Sequence, residues 1–124
     1  MTYCDCIQTY CTALKTNDYH TIIGLFSKDA TVFSYFAGET SAPKFFENLF
    51  KTSRRTNVEL KNLFIGENAT IAAYIHLEAI WNNKIVIQFE AVDIFEFDAE
   101  HKIKTLRIIL DTYPLRKKQS TMRS

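Results

Sequence analysis

Apolar residues in the first part of the chain recur every three or four positions, a period typical of helices that bury one face. Between Thr2 and Lys15 this period predicts a first helix, with an inward stripe of Ile7, Tyr10, Cys11 and Leu14. A second helix is predicted to start at the capping residues Asn17 and Asp18 and to end at Lys28, with an apolar face of Ile22, Ile23 and Phe26.

The pattern then changes twice. β-Branched and aromatic residues predict a short strand over Thr31–Tyr35, closed by a turn that contains Gly38. Ser41 is typical of a helix N-cap and Pro43 of a first helical turn. They predict a third helix, with an apolar side of Phe45, Phe46, Leu49 and Phe50. Polar residues 51–57 then interrupt the helical pattern.

From residue 58 onward the apolar period is two, which is typical of strands with one buried face. The alternation predicts four strands, over residues 58–65, 70–81, 84–97 and 102–113. Turns are predicted between them, at Gly66, at the Asn82-Asn83 pair and at residues 98–101. Three helices followed by four consecutive strands predict an α+β fold, in which an antiparallel sheet packs against the helices.

The composition describes an ordinary globular chain of 124 residues, 47% hydrophobic and 23% charged, which excludes disordered, collagen-like and coiled-coil structure. Only 3 glycines and 2 prolines are available for linkers, so we predict one domain over residues 1–115. No apolar run approaches the roughly 20 residues that span a bilayer, and the N-terminus lacks the pattern of a signal peptide. We therefore expect a soluble, cytoplasmic protein that does not bind membranes.

The formal net charge of +1 hides a basic C-terminal segment, residues 116–124, whose charged residues are Arg116, Lys117, Lys118 and Arg123. Without these four, the 15 basic residues fall to 11, which against 14 acidic residues leaves a charge of −3. The rest of the chain is therefore negatively charged. Because proteins bind the phosphate backbone of nucleic acids through positively charged surfaces, nucleic acid is not an expected partner. We predict that residues 116–124 form a flexible tail.

The sequence contains no motif for a metal or a cofactor. The cysteines lack the spacing of zinc ligands and are predicted to be reduced thiols: Cys4, Cys6 and Cys11. The histidines fall in three separate predicted elements: His20, His76 and His101. A glycine-rich phosphate loop, a nucleophile elbow and a CxxC motif are all missing from the sequence. We therefore expect neither a metal nor a cofactor.

One acidic residue breaks the pattern of the strand predicted over residues 84–97. Asp93 lies in step with the apolar phase, which consists of Ile85, Ile87, Phe89, Ala91, Phe95 and Phe97. Because burial of a bare charge is costly, this carboxyl group must find hydrogen bonds or stay protonated. A protonated acid can donate a hydrogen bond to a ligand oxygen. The alternative is a structural aspartate that accepts bonds from neighbouring hydroxyl or backbone N–H groups.

The opposite face of the predicted sheet is also partly apolar, unlike a fully solvated face. Between glutamate and glutamine residues it carries Tyr74, His76, Ile80, Val92 and Ile94. Three helices can cover only one face of a sheet, and exposed apolar surface of this kind is typical of an interface. We therefore expect a homodimer in which this face is covered by a second copy of the chain.

Several segments resemble SnoaL-like and ketosteroid isomerase-like proteins of the nuclear transport factor 2 (NTF2) superfamily. The resemblance covers roughly residues 5–113, and it is carried by Ile7 to Leu14, Asn17-Asp18-Tyr19, Leu25 to Val32, and Val92 to Asp98 with Lys102-Ile103. It implies a cystatin-like fold, in which a cone-shaped, curved antiparallel sheet wraps around three N-terminal helices and leaves an apolar pocket. It also implies dimerisation through the outer face of the sheet.

In ketosteroid isomerase a tyrosine and a protonated aspartate form the oxyanion hole, and a second aspartate transfers the proton. The resemblance matches Tyr10 and Asp93 to the first two, which makes them the candidate catalytic residues. Ser34 stands where the proton-transfer aspartate is expected, and Phe46 where a second pocket tyrosine is expected, so rapid steroid isomerisation is not expected. The implied pocket is lined by Ser34, Phe46, Phe50, Trp81 and Phe89.

Two functions are compatible with these residues. The first is an isomerase- or lyase-like enzyme that polarises a carbonyl or enol oxygen of a small apolar molecule with Tyr10 and Asp93. Its general base is unidentified, with Asp111 and Glu78 as candidates. The second is a non-catalytic ligand-binding or interaction module, in which the pair only anchors a polar group. A large pocket would favour the enzyme, whereas the module is favoured by a pocket filled by Phe33, Phe46 or Trp81.

Overall fold

The computed structural model describes residues 2–82 and 84–117. Its three helices are α1 (Tyr3–Thr16), α2 (Tyr19–Gly24) and α3 (Ala42–Thr52). Its six strands are β1 (Phe26–Ser34), β2 (Gly38–Ser41), β3 (Ser53–Ile65), β4 (Thr70–Trp81), β5 (Ile85–Phe97) and β6 (Ile103–Leu110). The α+β fold predicted from the sequence, with three helices ahead of a four-strand meander, is confirmed.

The six strands form one curved, unclosed sheet in the order β2-β1-β6-β5-β4-β3. Strands β3 to β6 follow one another in antiparallel pairs, and β2 pairs antiparallel with β1. The β1–β6 pair is parallel, so the sheet is not antiparallel throughout. This pair joins the N-terminal half of the chain to the meander, and β3 is left as an edge strand.

Helix α1 is held by caps at both ends. At its start the Asp5 N–H donates to Thr2 Oγ1 (3.0 Å) and the Thr2 N–H donates to Asp5 Oδ2 (3.2 Å), which forms a capping box. At its end Asn17 takes up left-handed backbone angles with φ of 54°, a conformation that asparagine tolerates well. The helix therefore ends at Thr16, and the Asn17 side chain accepts a hydrogen bond from Arg55 Nη2 of β3 (2.7 Å).

The apolar stripe of α1 packs on the inner face of the sheet. The ring of Tyr10 is enclosed by aromatic rings, with its centroid 5.1 Å from that of Phe95 and 6.1 Å from that of Phe46. Both contacts are edge-to-face, a favoured arrangement for aromatic pairs. The inward phase predicted for the third meander strand is confirmed, since Ile87, Ala91, Asp93, Phe95 and Phe97 are all buried.

The second helix is shorter than predicted, and the first strand begins earlier. Helix α2 ends at Gly24, and Phe26, predicted to lie on the helix, is the first residue of β1. The Ile103 N–H donates to Leu25 O (2.9 Å) and Lys102 Nζ donates to Gly24 O (2.7 Å). Phe26 therefore belongs to the sheet because its segment pairs with β6, a strand that is distant in the sequence. The predicted turn at Ala37-Gly38 falls at residues 35–37, and Gly38 instead begins the short strand β2, which was not predicted and pairs with β1.

Strand β3 begins at Ser53, five positions before the predicted start at Val58, so the prediction of an interruption over residues 51–57 was wrong. The Asn82 N–H donates to Thr52 O (3.0 Å), and Arg55 pairs with Ala79 of β4. The polar residues alternate in burial along this strand, with Ser53 and Arg55 inside and Arg54 exposed. A polar stretch can form a strand here because β3 is an edge strand with one face open to solvent.

The last strand ends at Leu110, three residues before its predicted end. The Tyr113 N–H donates to Asp111 Oδ1 (3.0 Å), and residues 113–117 form a helical turn in which the Arg116 N–H donates to Thr112 O (2.9 Å). The tail predicted over 116–124 therefore starts inside this turn, and its residues 118–124 lie outside the described part of the chain. Within the described ranges no helix is long and apolar enough to cross a membrane.

Candidate functional site

Asp93 is a buried acid at the centre of the sheet's inner face. Its side chain is 4% exposed, and Oδ1 is fully enclosed without a hydrogen-bond partner among the described residues. Burial raises the pKa of this carboxyl group to about 7. At neutral pH a large fraction of the molecules therefore carry Asp93 in its protonated form, which can donate a hydrogen bond.

Tyr10 on α1 brings a phenol group to the same place. Its pKa is raised well above the usual value, first by burial and then by the nearby Asp93 carboxyl group. The Tyr10 hydroxyl also lowers the pKa of Asp93 by hydrogen bonding, which partly offsets the rise that burial causes. The phenol thus stays un-ionised and keeps its hydroxyl proton over the whole physiological pH range.

Both residues line a small cavity between α1, α3 and the sheet, here called the inner cavity, with a volume of about 70 Å³. Its described lining is mostly apolar, and its titratable members are Tyr10, Arg55 and Asp93. An apolar cavity of about 150 Å³ is known to hold a benzene molecule. The inner cavity is therefore large enough for a head group of a few atoms but not for a whole aromatic ligand.

Arg55 was not among the predicted site residues, yet it lines the inner cavity. Its side chain is 5% exposed, and it donates to three neutral partners: Leu14 O (3.1 Å), Asn17 Oδ1 (2.7 Å) and both oxygens of Ser53 (2.9 and 3.1 Å). Burial lowers the pKa of Arg55 to about 10, so it stays charged at neutral pH. In the sequence, extending the period of two back from Val58 and Leu60 points to Arg54, because a register shift between Arg55 and Asn57 reverses the phase of the strand.

A second, larger space lies outside the inner cavity. This outer groove has a volume of about 610 Å³ and runs between α3, the β1–β2 turn and the β4–β5 turn. Four apolar side chains line both spaces and form a wall between them: Phe36, Phe45, Leu49 and Trp81. The centroid of the Trp81 ring lies 5.2 Å from that of Phe36 in the same wall and 6.2 Å from that of Phe89 in the inner cavity.

The five predicted pocket residues separate into two groups. Ser34, Trp81 and Phe89 line the inner cavity. Phe46 and Phe50 do not belong to its described lining, because Phe46 is fully buried in the core behind Tyr10 and Phe50 packs against the Arg55 guanidinium at 5.1 Å. The Ser34 hydroxyl oxygen accepts a hydrogen bond from the Ala37 N–H (3.1 Å), which orients it towards the β1–β2 turn.

The two candidate general bases lie away from the inner cavity. Glu78 accepts hydrogen bonds from Thr56 Oγ1 (2.6 Å) and Gln88 Nε2 (2.9 Å), and these bonds lower its pKa. Asp111 is exposed and accepts from the Tyr113 N–H. Neither belongs to the described lining of the inner cavity. Among the described lining residues, Asp93 is thus the group whose pKa suits proton transfer near neutral pH.

The three histidines lie apart from one another, on α2, on β4 and in the β5–β6 turn, whereas the three cysteines all lie on α1. His101 packs against the Tyr3 ring, and His76 lies 4.0 Å from Glu90 on the outer face of the sheet. Among residues 2–82 and 84–117, no three His, Cys, Asp or Glu side chains are grouped as metal ligands. Cys11 is buried beside the site, and burial raises its thiol pKa to about 12, so it stays protonated.

Comparison of the sequence with protein-family models and with curated proteins found no match. The structure, however, is similar to solved structures. An NTF2-like protein of unknown function from Cytophaga hutchinsonii has a TM-score of 0.72 at 15% identity, over 94% of this chain and 96% of that one.

Two enzymes are similar to a comparable extent. An LEH-like epoxide hydrolase from M. tuberculosis has a TM-score of 0.74 at 16% identity, over 91% of this chain and 85% of that one. The epoxide hydrolase/cyclase-like enzyme SalBIII, with a role in pyran ring formation in the polyether salinomycin, has a TM-score of 0.76 at 17% identity, over 90% and 92% of the two chains. At such identities the similarity establishes the fold and leaves the chemistry open.

Proposed function

We propose that this chain, which has the fold of the NTF2-like proteins, binds a small molecule with an apolar body and a terminal oxygen. The oxygen accepts hydrogen bonds from Asp93 and Tyr10 in the inner cavity. The observation that carries this proposal is the enclosed Oδ1 atom of Asp93, which has no hydrogen-bond partner among the described residues. Buried polar atoms are nearly always paired, so an unpaired one that lines a cavity is available to bond with a ligand that enters the space.

Asp93 supplies a donor that a surface aspartate lacks. With a pKa of about 7, its carboxyl group is protonated in a large fraction of the molecules at neutral pH. A protonated acid and a phenol can both donate to one ligand oxygen, such as that of a carbonyl group. Apolar surroundings strengthen such bonds because water does not compete for the donors.

The ligand body is accommodated outside the inner cavity. Because about 70 Å³ admits only a head group, the remainder must lie beyond the wall of Phe36, Phe45, Leu49 and Trp81. The outer groove, at about 610 Å³, is within the range of volumes that small-molecule sites have. Its aromatic and aliphatic lining suits an apolar body that is linked to the oxygen by a short, narrow arm.

Acid catalysis is a second candidate function, supported by one observation. An acid whose pKa of about 7 is close to the working pH can both donate and recover a proton efficiently. In such an enzyme, of the isomerase or lyase type, Asp93 and Tyr10 would polarise a carbonyl or enol oxygen. Ligand binding is the better-supported function because no separate general base is found in the described lining of the inner cavity.

The test uses three probes that share a phenyl ring and a two-carbon arm: 4-phenylbutan-2-one, 3-phenylpropanamide and 3-phenylpropanoate. Trp81 is the single tryptophan of the chain and lies in the wall of the cavity, so its fluorescence reports occupancy. We expect saturable binding of at least one probe, weakened about tenfold or more in Asp93→Leu, as expected for loss of a buried hydrogen-bond donor.

The matched control is Asp111→Asn, which removes an exposed carboxylate outside the cavity. It should leave the affinity of each probe unchanged. The proposal is contradicted if none of the three probes binds up to its solubility limit. It is equally contradicted if Asp93→Leu is folded and binds them as tightly as the original chain does.

A further inference from the structure

Arg55 is a buried cation for which the described residues provide no anionic partner. Four of its five N–H groups donate to neutral oxygens of Leu14, Asn17 and Ser53, which satisfy hydrogen bonds without balancing the charge. Exposed carboxylates of the chain form ion pairs elsewhere, as Glu47 does with Lys51. Because charges in apolar surroundings are usually paired, the guanidinium leaves a net positive charge at the cavity.

The charge of the inner cavity depends on Asp93. The ionisable groups that interact with Asp93 are Tyr10 and Cys11 of α1, and Arg55 of β3 lines the same cavity. Tyr10 and Cys11 are neutral at pH 7, because their pKa values are raised by burial. With Asp93 protonated, the cavity therefore carries one positive charge, and with Asp93 ionised it carries none.

We propose that the natural ligand is a monoanion, namely a small apolar carboxylic acid bound as its carboxylate. This inference rests on the proposed ligand-binding function and adds the charge of the ligand. The carboxylate balances the charge of Arg55, and its oxygens accept hydrogen bonds from Asp93 and Tyr10. Nη1 of Arg55 donates one hydrogen bond, to Ser53 Oγ, and its second N–H group is a further donor on a side chain that lines the same cavity.

The size and charge of the site favour a carboxylate over other anions. A phosphate monoester carries a charge of about −1.5 to −2 at neutral pH, which one guanidinium cannot balance in a buried site. A carboxylate is planar, carries a single charge and adds only three heavy atoms to the end of an arm. It therefore fits an inner cavity of about 70 Å³, while its apolar body lies in the outer groove.

The experiment compares two probes of the same shape at pH 6, where Asp93 is mostly protonated. In 3-phenylpropanoate a charged oxygen replaces the terminal methyl group of 4-phenylbutan-2-one, so the two differ mainly in charge. We expect Trp81 fluorescence to give a Kd at least about tenfold lower for the carboxylate than for the ketone. Arg55→Met should abolish that preference, since it removes the charge and keeps an apolar side chain of similar length.

Two further arginine variants distinguish an effect of the Arg55 charge from an effect of misfolding. Arg54→Met removes a neighbouring but exposed arginine of the same strand and should keep the full preference for the carboxylate. Arg55→Lys retains a charge in a different geometry and should keep a preference reduced severalfold. If Arg55→Met does not fold, Arg55→Lys and the two probes on the original chain decide the question.

Lys44 is a rival cation, because it lines the outer groove. The inference is overturned if the original chain binds the ketone as tightly as the carboxylate. It is also overturned if folded Arg55→Met keeps the preference, or if Lys44→Met is the variant that loses it. In each case ligand binding itself can persist, whereas failure of all three phenyl probes to bind would overturn the proposed function instead.

Discussion

The side chains of Tyr10 on α1 and Asp93 on β5 both line the inner cavity and influence each other's ionisation. The carboxyl group raises the pKa of the phenol, and the phenol lowers the pKa of the carboxyl group, which burial has raised to about 7. Below about pH 7 both groups are therefore uncharged and can donate hydrogen bonds. The chain combines them with a charged arginine in one small apolar space, and this combination carries the functional proposals.

Replacement of Asp93 by asparagine should make the protein less sensitive to pH. Because the pKa of Asp93 is raised from 3.8 to about 7 on folding, ionisation opposes the folded state. The cost is absent below about pH 4, grows between pH 4 and 7, and is constant above that range. We therefore expect the stability of Asp93→Asn relative to the original chain to increase by about 4 kcal/mol between pH 4 and 8.

Urea denaturation of the two proteins at several pH values measures this difference directly. Other carboxylates, such as those of Asp5 and Asp18, have lowered pKa values and give the opposite slope, but they are the same in both proteins. A stability difference that stays constant between pH 4 and 8 would show that Asp93 is ionised normally in the folded state.

Removal of the Tyr10 hydroxyl should change both the acid and the binding affinity. In Tyr10→Phe the pKa of Asp93 should rise further, since the phenol that lowers it is gone. The affinity of the phenyl probes should fall about tenfold, because one buried donor is lost. The matched control is Tyr74→Phe, which removes a hydroxyl bonded to Glu90 on the outer face. Equal effects of the two substitutions on affinity would contradict the assignment of Tyr10 to the site.

Local periodicity was sufficient to predict most elements of the fold. Each correctly predicted pattern describes one face of one helix or strand, and such a face is encoded in residues that are close in the sequence. Examples are the stripe of Ile7, Tyr10, Cys11 and Leu14 and the alternation around Asp93. The errors fall where distant segments pair. Phe26 joins β1 because Leu25 pairs with Ile103, a contact that no local pattern contains.

The site was harder to predict than the fold. Asp93 is recognisable as an acid within an apolar phase, whereas Arg55 lies in a polar stretch where Arg54 looks the same in sequence. Only pairing with β4 determines which of the two arginines faces inward. Phe46 and Phe50 have the right character for a pocket, but core packing around Tyr10 and Arg55 places them behind it.

Truncation of Phe36 should open the route into the inner cavity. Its ring is 50% exposed and forms part of the wall shared with the outer groove. Phe36→Ala should therefore accelerate probe association severalfold in stopped-flow Trp81 fluorescence, with little loss of stability because the ring is half exposed. Tyr35→Ala, at a similarly exposed neighbour outside the described lining, is the control. An unchanged association rate in Phe36→Ala would contradict the route proposed here.

We propose a homodimer through the outer face of the sheet. Tyr74, Val92 and Ile109 lie side by side across β4, β5 and β6, and Ile109 is 54% exposed. Light scattering should show a dimer for the original chain and a monomer for Ile109→Asp. Ile65→Asp introduces the same charge at a more exposed site and should stay dimeric. A monomeric original chain at micromolar concentration would contradict the dimer.

The most direct measurement is a ¹³C NMR titration of the Asp93 carboxyl carbon, assigned by comparison with Asp93→Asn, with and without saturating 3-phenylpropanoate. We expect a pKa near 7 in the free protein. With the probe bound, the pKa should rise by at least one unit, because the ligand binds the protonated form about tenfold or more tightly. A free pKa near 3.8, or a pKa that the bound probe leaves unchanged, would contradict the account of Asp93 as the donor.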